Sequence, residues 1–309
     1  MNDIEEKAPK SVYDLANELA EMKNTDVILY NGGIDRPHDN KFIKLFRGRI
    51  CRENAHLYLI TGGGNADAAY RISNCLQENY KHVSVIVPGF CKSAGTIICI
   101  GANLLIFNDL GEIGPLDVQL AKSDELWRTD SGLNLEMSLT VLKQKSLQMM
   151  EDIMISLTTK SGGRITTKTA LQTACQLVDG LYGKIYAHIE PLQIGEVARS
   201  MQIAEEYGGR LNDRSKNLKA GALSELVAKY STHGFVIDFK EASKLFTNVR
   251  KCTDLESSIA ISLGDIAEMP ISTTEPTIEF LSQQRRPKDA DSKKGNISTG
   301  SSPAEGERT

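Results

Sequence analysis

Hydrophobic positions in the first third of the chain fall into short runs that end in glycine or proline. The runs "DVILYNGGI" (26–34), "HLYLITGGG" (56–64), "HVSVIVPGF" (82–90) and "NLLIFNDLGEIG" (103–114) each predict a buried strand followed by a turn. Between them, "NADAAYRISNCLQENY" has its apolar residues on one helical face, and "SAGTIICIGA" is typical of a buried helix. This alternation of strands and helices predicts an α/β fold with a mostly parallel sheet.

Beyond residue 134 the apolar positions follow a helical period. One stripe predicts a long helix that ends at Gly162 and Gly163: Leu135, Leu139, Leu142, Met149, Ile153 and Leu157. The sequence predicts a second helix with threonine caps in "TTKTALQTACQLVDG", and a third that ends at Gly208 and Gly209. "KAGALSELVAKY" predicts a fourth helix, and "GFVIDFKEASKLF" a short strand followed by a helix capped by Asp238.

Three segments follow from the distribution of apolar residues. Residues 1–25 form an N-terminal extension, and residues 26–255 contain the periodic pattern of one domain. Residues 270–309 turn to Ser, Thr, Pro, Lys, Glu and Gly without apolar periodicity, so this stretch is predicted to be a disordered tail.

Composition narrows the class of protein. The chain has 309 residues and a net charge of −4, which argues against nucleic acid or an anionic membrane as the main partner. The longest apolar run, residues 96–107, is shorter than the roughly 20 residues that span a bilayer, so no membrane insertion is expected. The acidic, polar N-terminus does not resemble a secretory signal. The six cysteines form no CxxC pair, and the histidines show no metal-ligand spacing, so we expect reduced thiols, a cytoplasmic location and no cofactor.

Two glycine-rich turns carry the candidate chemistry. "TGGG" (61–64) and "GFCKS" (89–93) both stand where a strand ends and a helix begins, the edge at which parallel sheets bind ligands. Ser93 lies at the start of a predicted helix and is either a plain N-cap or a nucleophile. Cys91 lies in the turn itself, either as a small apolar residue or as a reactive thiolate near Lys92.

The motifs "LITGGGNADAAYRI", "VIVPGFCKSAGTIICIGAN" and "GEIGPLDVQ", in this order, resemble the Clp/crotonase superfamily. Within it the chain is most similar to the serine dehydrogenase proteinase group, the cytoplasmic relatives of signal peptide peptidase A. This resemblance implies a β-α spiral of stacked ββα units with a C-terminal helical region. It also implies a homo-oligomer that acts on polypeptide substrates.

The same resemblance assigns roles to individual residues. Ser93 matches the nucleophile of the family, and Gly63 and Gly64 match the glycines whose amides bind the oxyanion. Ala94, the residue after the nucleophile, supplies the second amide. Cys91 matches no role in the family.

The general base is the part of the site that the motifs leave open. Clp proteolytic subunits keep a histidine shortly after the nucleophile, but "GEIGPLDVQLAK" has none. Signal peptide peptidases use a lysine, and "SGLNLEMS" lacks the lysine of their SGxxK motif. We rank Lys122 first and His233 second as the base. Lys143 and Lys145 flank the apolar stripe of the long predicted helix, so each either leans toward a pocket or, as is more common for lysine, lies at the solvent border. Asp117 could orient the base.

The motifs therefore predict a serine hydrolase that cleaves peptide bonds through an acyl-enzyme on Ser93. Two alternatives stay open. One is a catalytically inactive scaffold of the same fold, and the other is a crotonase-type enzyme that acts on acyl-CoA thioesters.

Overall fold

The structure, a computed structural model, describes residues 10–116, 119–121, 129–230, 232, 234–272 and 274–284. Its strands are β1 (Thr25–Asn31), β2 (Asn54–Ile60), β3 (His82–Val87), β4 (Phe90–Cys91), β5 (Leu104–Phe107), β6 (Glu112–Ile113), β7 (Gln119–Ala121), β8 (Thr129–Ser131), β9 (Val249–Lys251) and β10 (Thr277–Phe280). Its helices are α1 (Val12–Lys23), α2 (His38–Lys44), α3 (Ala66–Asn79), α4 (Ala94–Ile100), α5 (Gly132–Lys160), α6 (Thr167–Ala187), α7 (Pro191–Ser215), α8 (Ala222–Ala228), α9 (Phe239–Leu245), α10 (Asp254–Leu263) and α11 (Asp265–Glu268).

A six-stranded sheet forms the centre, in the order β10-β1-β2-β3-β5-β9. The pairs from β1 to β9 are parallel, and only β10 is antiparallel to its neighbour β1. The predicted α/β fold with a mostly parallel sheet is therefore confirmed.

Both faces of this sheet are buried, which explains why its strands read as continuous apolar runs rather than as alternating patterns. Ile28 and Tyr30 of β1 point to the face covered by α3 and α4. Val27 and Leu29 point to the opposite face, where α1 and α10 pack. Helix α1 thus belongs to the core, although the sequence analysis placed it in an extension.

A second, short layer of pairing runs beside the carboxyl ends of the main strands. After β1 and β2, Ile34 forms a parallel bridge with Gly64, and Thr61 forms one with Cys91. After β3 and β5, strands β4 and β6 pair in parallel. This layer brings the two glycine-rich turns side by side.

Most of the predicted helices are present. Helix α5 ends at Lys160, just before the two predicted glycines, and Thr166 and Asp238 cap α6 and α9 with their side chains. These helix ends are confirmed. The long helices α5 to α7 lie between β8 and β9, so the helical region is internal and the chain afterwards returns to the sheet.

The predicted end of the third helix at Gly208 and Gly209 is wrong, because α7 continues through both residues to Ser215. A Cβ atom built on Gly208 would lie 2.6 Å from Leu223 Cδ1. Gly208 therefore allows α7 to pack closely against Leu223 of α8 and does not end the helix.

The structure also differs from the predicted tail. Residues 277–280 form β10, which pairs with β1, and Ile278 is buried. This edge strand was not predicted because the residues around it are mostly polar. It is stabilised by its pairing with β1. Residues 285–309 lie outside the described range. The boundaries of the 26–255 domain stay a prediction.

In the part of the chain that the structure describes, no helix has the length and apolar content needed to cross a membrane.

Candidate active site

Ser93 occupies a strained turn between β4 and α4. Its backbone has φ 51° and ψ −116°, in the left-handed half of the φ range that residues with a side chain rarely adopt. Such a conformation costs about 1–3 kcal/mol and persists only where the surrounding contacts enforce it. Although Ser93 is the N-cap residue of α4, its side chain makes no capping hydrogen bond. The plain N-cap interpretation is therefore wrong, and the half-buried hydroxyl is available for other contacts.

Backbone hydrogen bonds close this turn on both sides of the serine. The Gly95 amide donates to the Lys92 carbonyl oxygen at 2.9 Å, and the Thr96 amide donates to the Ser93 carbonyl oxygen at 2.8 Å. Ala94 is the first residue of α4, so its amide has no acceptor within the helix. A donor is thus left next to the serine hydroxyl.

The turn at residues 61–64 lies directly against Ser93. A Cβ atom built on Gly63 would stand 2.6 Å from Ser93 Cβ and 3.2 Å from Ser93 Oγ. The Thr61 amide donates to Phe90, and the Lys92 amide donates to Thr61, each at 2.9 Å. Only a residue without a side chain fits at position 63, because its backbone is in contact with the serine.

The predicted oxyanion amides differ in their hydrogen bonds. The Gly63 amide donates to Thr61 Oγ1 at 3.0 Å, so a substrate oxygen would have to replace that hydroxyl. The Gly64 amide has no hydrogen-bond acceptor among the described residues. With the amide of Ala94, these amides lie on the turn of Ser93 and on the glycine turn next to it.

Lys92 is a buried charge that the sequence analysis treated only as a neighbour of Cys91. Its side chain is 2% exposed, and its Nζ lies 2.9 Å from Glu112 Oε1. The same Nζ donates to the carbonyl oxygens of Phe235 at 3.1 Å and Ile113 at 3.4 Å. An ammonium has three N–H donors, and these three acceptors use all of them. The end of the Lys92 side chain is therefore held by three contacts.

One signal in the sequence could have pointed to this ion pair. Lys92 interrupts the otherwise apolar stretch after Phe90, and Glu112 stands in the next turn of the same layer. In stacked short strands, residues at equivalent positions become neighbours. The Cα register pairs Phe90, two positions before Lys92, with Glu112.

Cys91 lies in β4 and not in the turn, which corrects the prediction for its position. It is fully buried, with its Sγ 3.9 Å from Cys99 Sγ. The hydrogen bond with Cys91, together with burial, raises the pKa of the Cys99 thiol well above its usual value. The pair packs as apolar thiols in the core, and Cys91 has no route to a substrate.

The predictions for the base remain open. Lys122, His233 and Asp117 lie outside the described residues. Lys143 and Lys145 are exposed on α5, as expected for border residues. No group of three metal-ligating side chains occurs in the described ranges.

No family model matches the sequence. A 66-residue segment is 35% identical to an uncharacterised protein of Methanocaldococcus jannaschii and covers 21% of this chain and 23% of that protein. A second uncharacterised protein of the same organism is 24% identical over 158 residues, which cover 48% of this chain and 52% of the relative. The chain thus spans about a quarter of the length of the first relative and about half of the length of the second.

Solved structures similar to this chain include the 1510-N membrane-bound stomatin-specific protease. A variant of that protease in complex with a substrate peptide is 28% identical, with a TM-score of 0.27, over 32% of this chain and 48% of the other. Another variant is 22% identical, with a TM-score of 0.30, over 48% of this chain and 68% of the other.

Proposed function

We propose that the protein is a serine hydrolase that cleaves peptide bonds, with Ser93 as the nucleophile. The observation that carries this proposal is the strained, uncapped Ser93, which stands in contact with the backbone of Gly63. A serine on a sharp strand-to-helix turn presents its hydroxyl to a substrate, as in other serine hydrolases. The adjoining amides supply donors for the oxyanion.

The reaction proceeds in two steps. Ser93 Oγ bonds to the carbonyl carbon of the substrate while a base takes its proton, and the carbonyl oxygen becomes an oxyanion held by the amides of Ala94 and Gly64. The oxyanion then collapses, the C–N bond breaks, and the leaving amine takes the proton. Water attacks the acyl-enzyme in the same way and releases the acid. The Gly63 amide joins the donors if Thr61 Oγ1 gives up its hydrogen bond.

Several finer predictions belong to this proposal. The base is Lys122 or His233. The short pairing layer beside the main sheet supports a β-α spiral of stacked ββα units. We further propose a cytoplasmic homo-oligomer that acts on polypeptides and needs no cofactor.

A second candidate function is an inactive scaffold of the same fold. It is favoured by the hydrogen bond from the Gly63 amide to Thr61 Oγ1, which occupies one of the expected oxyanion donors. In a scaffold this bond would be permanent. In an enzyme it would yield to the substrate.

A fluorophosphonate probe distinguishes these functions because it reacts only with an activated serine. We expect labelling of the full chain that is lost in Ser93→Ala and retained in Cys91→Ala. The cysteine variant is the matched control, since it changes the same turn region without touching the hydroxyl. If folded wild-type protein is not labelled, the hydrolase is refuted and the scaffold is favoured.

The base is tested in the same assay by Lys122→Ala and His233→Ala. We expect one of them to slow labelling by at least 100-fold, because general-base catalysis contributes about 10²–10⁴-fold. Lys143→Ala is the control, since this lysine is exposed on α5 and the variant is expected to label at the wild-type rate. Full labelling rates in both variants would rule out both residues.

A further inference from the structure

Every polar group of Lys92 is engaged, in the main chain as well as in the side chain. Its amide donates to the Thr61 carbonyl oxygen, and its carbonyl oxygen accepts from the Gly95 amide, each at 2.9 Å. The aliphatic part of the side chain packs so closely on Gly114 that a Cβ atom there would lie 2.7 Å from Lys92 Cδ. Lys92 is thus fixed at both of its ends.

The ammonium joins three separate segments of the chain. Lys92 itself belongs to the turn after β4, whereas Glu112 and Ile113 form β6. Phe235 belongs to a third segment, which is anchored to β6 because Ile237 and Ile113 exchange two backbone hydrogen bonds of 3.0 Å. A single buried cation therefore holds the turn of Ser93 against two neighbouring segments.

This fixation matters because Ser93 is strained. A positive φ at a serine relaxes unless neighbouring contacts enforce it, and the peptide unit between residues 92 and 93 is one end of that φ rotation. If the Lys92 side chain loses its acceptors, only the backbone hydrogen bonds with Thr61 and Gly95 still hold this peptide unit, and its rotation becomes easier. The hydroxyl then leaves its position beside Gly63.

We propose that Lys92 is a positioning residue for the reaction at Ser93. Its buried ammonium holds the strained turn in the conformation that aligns the hydroxyl with the amides of the neighbouring turn. The inference rests on the proposed function for its catalytic consequence. The fixation of the turn itself can be measured without any activity.

Three variants of the full chain separate positioning from stability. Lys92→Met removes the ammonium and retains an unbranched apolar side chain. Lys92→Met with Glu112→Leu also removes the partner charge, which restores stability when a buried ion pair is replaced by apolar residues. Glu256→Gln is the matched control, because it disrupts a buried ion pair with Arg250 on the opposite face of the sheet.

Two measurements are made on each variant: the labelling rate with a fluorophosphonate, and hydrogen exchange of the Gly95 and Thr96 amides relative to amides in β1. We expect Lys92→Met to label at least 100-fold more slowly and to exchange at least 10-fold faster at these two amides. The double variant recovers its melting temperature but not its labelling rate, because the carbonyl oxygens of Ile113 and Phe235 remain untethered. Glu256→Gln melts at a lower temperature, with labelling and local exchange as in the wild type.

Two results would overturn the inference. Labelling that returns together with stability in the double variant would show that Lys92 contributes stability only. Unchanged exchange at Gly95 and Thr96 in Lys92→Met would show that the side chain does not fix the turn. If wild-type protein is not labelled at all, the proposed function fails, whereas the exchange data still decide whether Lys92 holds the turn.

Discussion

Replacement of Gly63 by alanine is the most direct perturbation of the geometry around Ser93. The new Cβ atom would stand 2.6 Å from Ser93 Cβ, whereas ordinary van der Waals contact begins at 3.4 Å. One of the two turns must therefore move by about 0.8 Å. A misplacement of about 1 Å in a reacting group costs about 100-fold in rate. We expect Gly63→Ala to lower the fluorophosphonate labelling rate by about that factor.

The same substitution carries a cost in stability. Gly63 has φ 103°, a value that alanine adopts only with strain of about 1–3 kcal/mol. The labelling rate must therefore be measured at a temperature where both proteins are folded, as judged by circular dichroism. A thermal melt of the variant measures the strain separately from the change in rate.

Gly62 provides a matched control within the same turn. A Cβ atom built on Gly62 meets nothing within 4 Å, and its φ lies outside the left-handed range. Substitutions in such open positions change stability by about 0.5 kcal/mol or less, so Gly62→Ala should label within about threefold of the wild-type rate. If folded Gly63→Ala labels as fast as Gly62→Ala, the contact between Gly63 and Ser93 plays no part in the reaction.

Three further predictions concern stability, each measured by urea unfolding. Gly209→Ala, with nothing within 4 Å, should stabilise α7 by about 0.5–1 kcal/mol, whereas Gly208→Ala should be about 1 kcal/mol less stable than Gly209→Ala because its Cβ atom must displace the end of the Leu223 side chain. Equal effects would contradict the packing argument. Ser93→Gly should be about 1 kcal/mol more stable than Ser93→Ala, because glycine accepts the positive φ; the opposite order would refute the strain. Burial alone would raise the pKa of Glu256, but hydrogen bonds from Arg250, His56 and the Thr253 amide together outweigh it and hold the pKa well below its usual range. This pair therefore stabilises the fold above the unfolded carboxyl pKa of about 4.3, and its contribution is lost as the pH falls below that value. Glu256→Gln should cost about 3 kcal/mol at pH 7 and progressively less towards pH 3, and a constant difference would refute the assignment.

The sequence predicted those helices and strands whose pattern or caps involve residues close together in the chain. The apolar runs that became β1, β2, β3 and β5 bury both faces, and a continuous apolar run is the pattern of such strands. Caps such as Thr166 depend on residues three positions apart, so they too can be identified from the sequence. Helix α1 and strand β10 were missed because their stability comes from distant segments. Strand β10 is held by its register with β1, some 250 residues earlier in the chain.

The residues of the candidate site also fall into two groups, those that a local motif predicts and those that only the folded chain brings together. The glycine turn and the serine were identified because each belongs to a contiguous motif. The function of Gly63 as a contact for Ser93 required the structure, since the two residues lie on different turns. The acceptors of Lys92 come from Glu112, Ile113 and Phe235, and no local pattern joins these segments. Its partners could be found only from the stacking of the short strands.

Two unfavourable features stand side by side in this turn, and their proximity is itself an argument for function. Ser93 holds a backbone conformation that costs about 1–3 kcal/mol, and its neighbour buries a charge whose desolvation costs several kcal/mol before its partners offset it. A turn that served only to connect β4 with α4 could use glycine at position 93 and an apolar residue at position 92. Local strain of this kind clusters where a side chain must be presented to a ligand. The strained serine and the buried ammonium together support the two proposals, that Ser93 is the nucleophile and that Lys92 holds its turn in place.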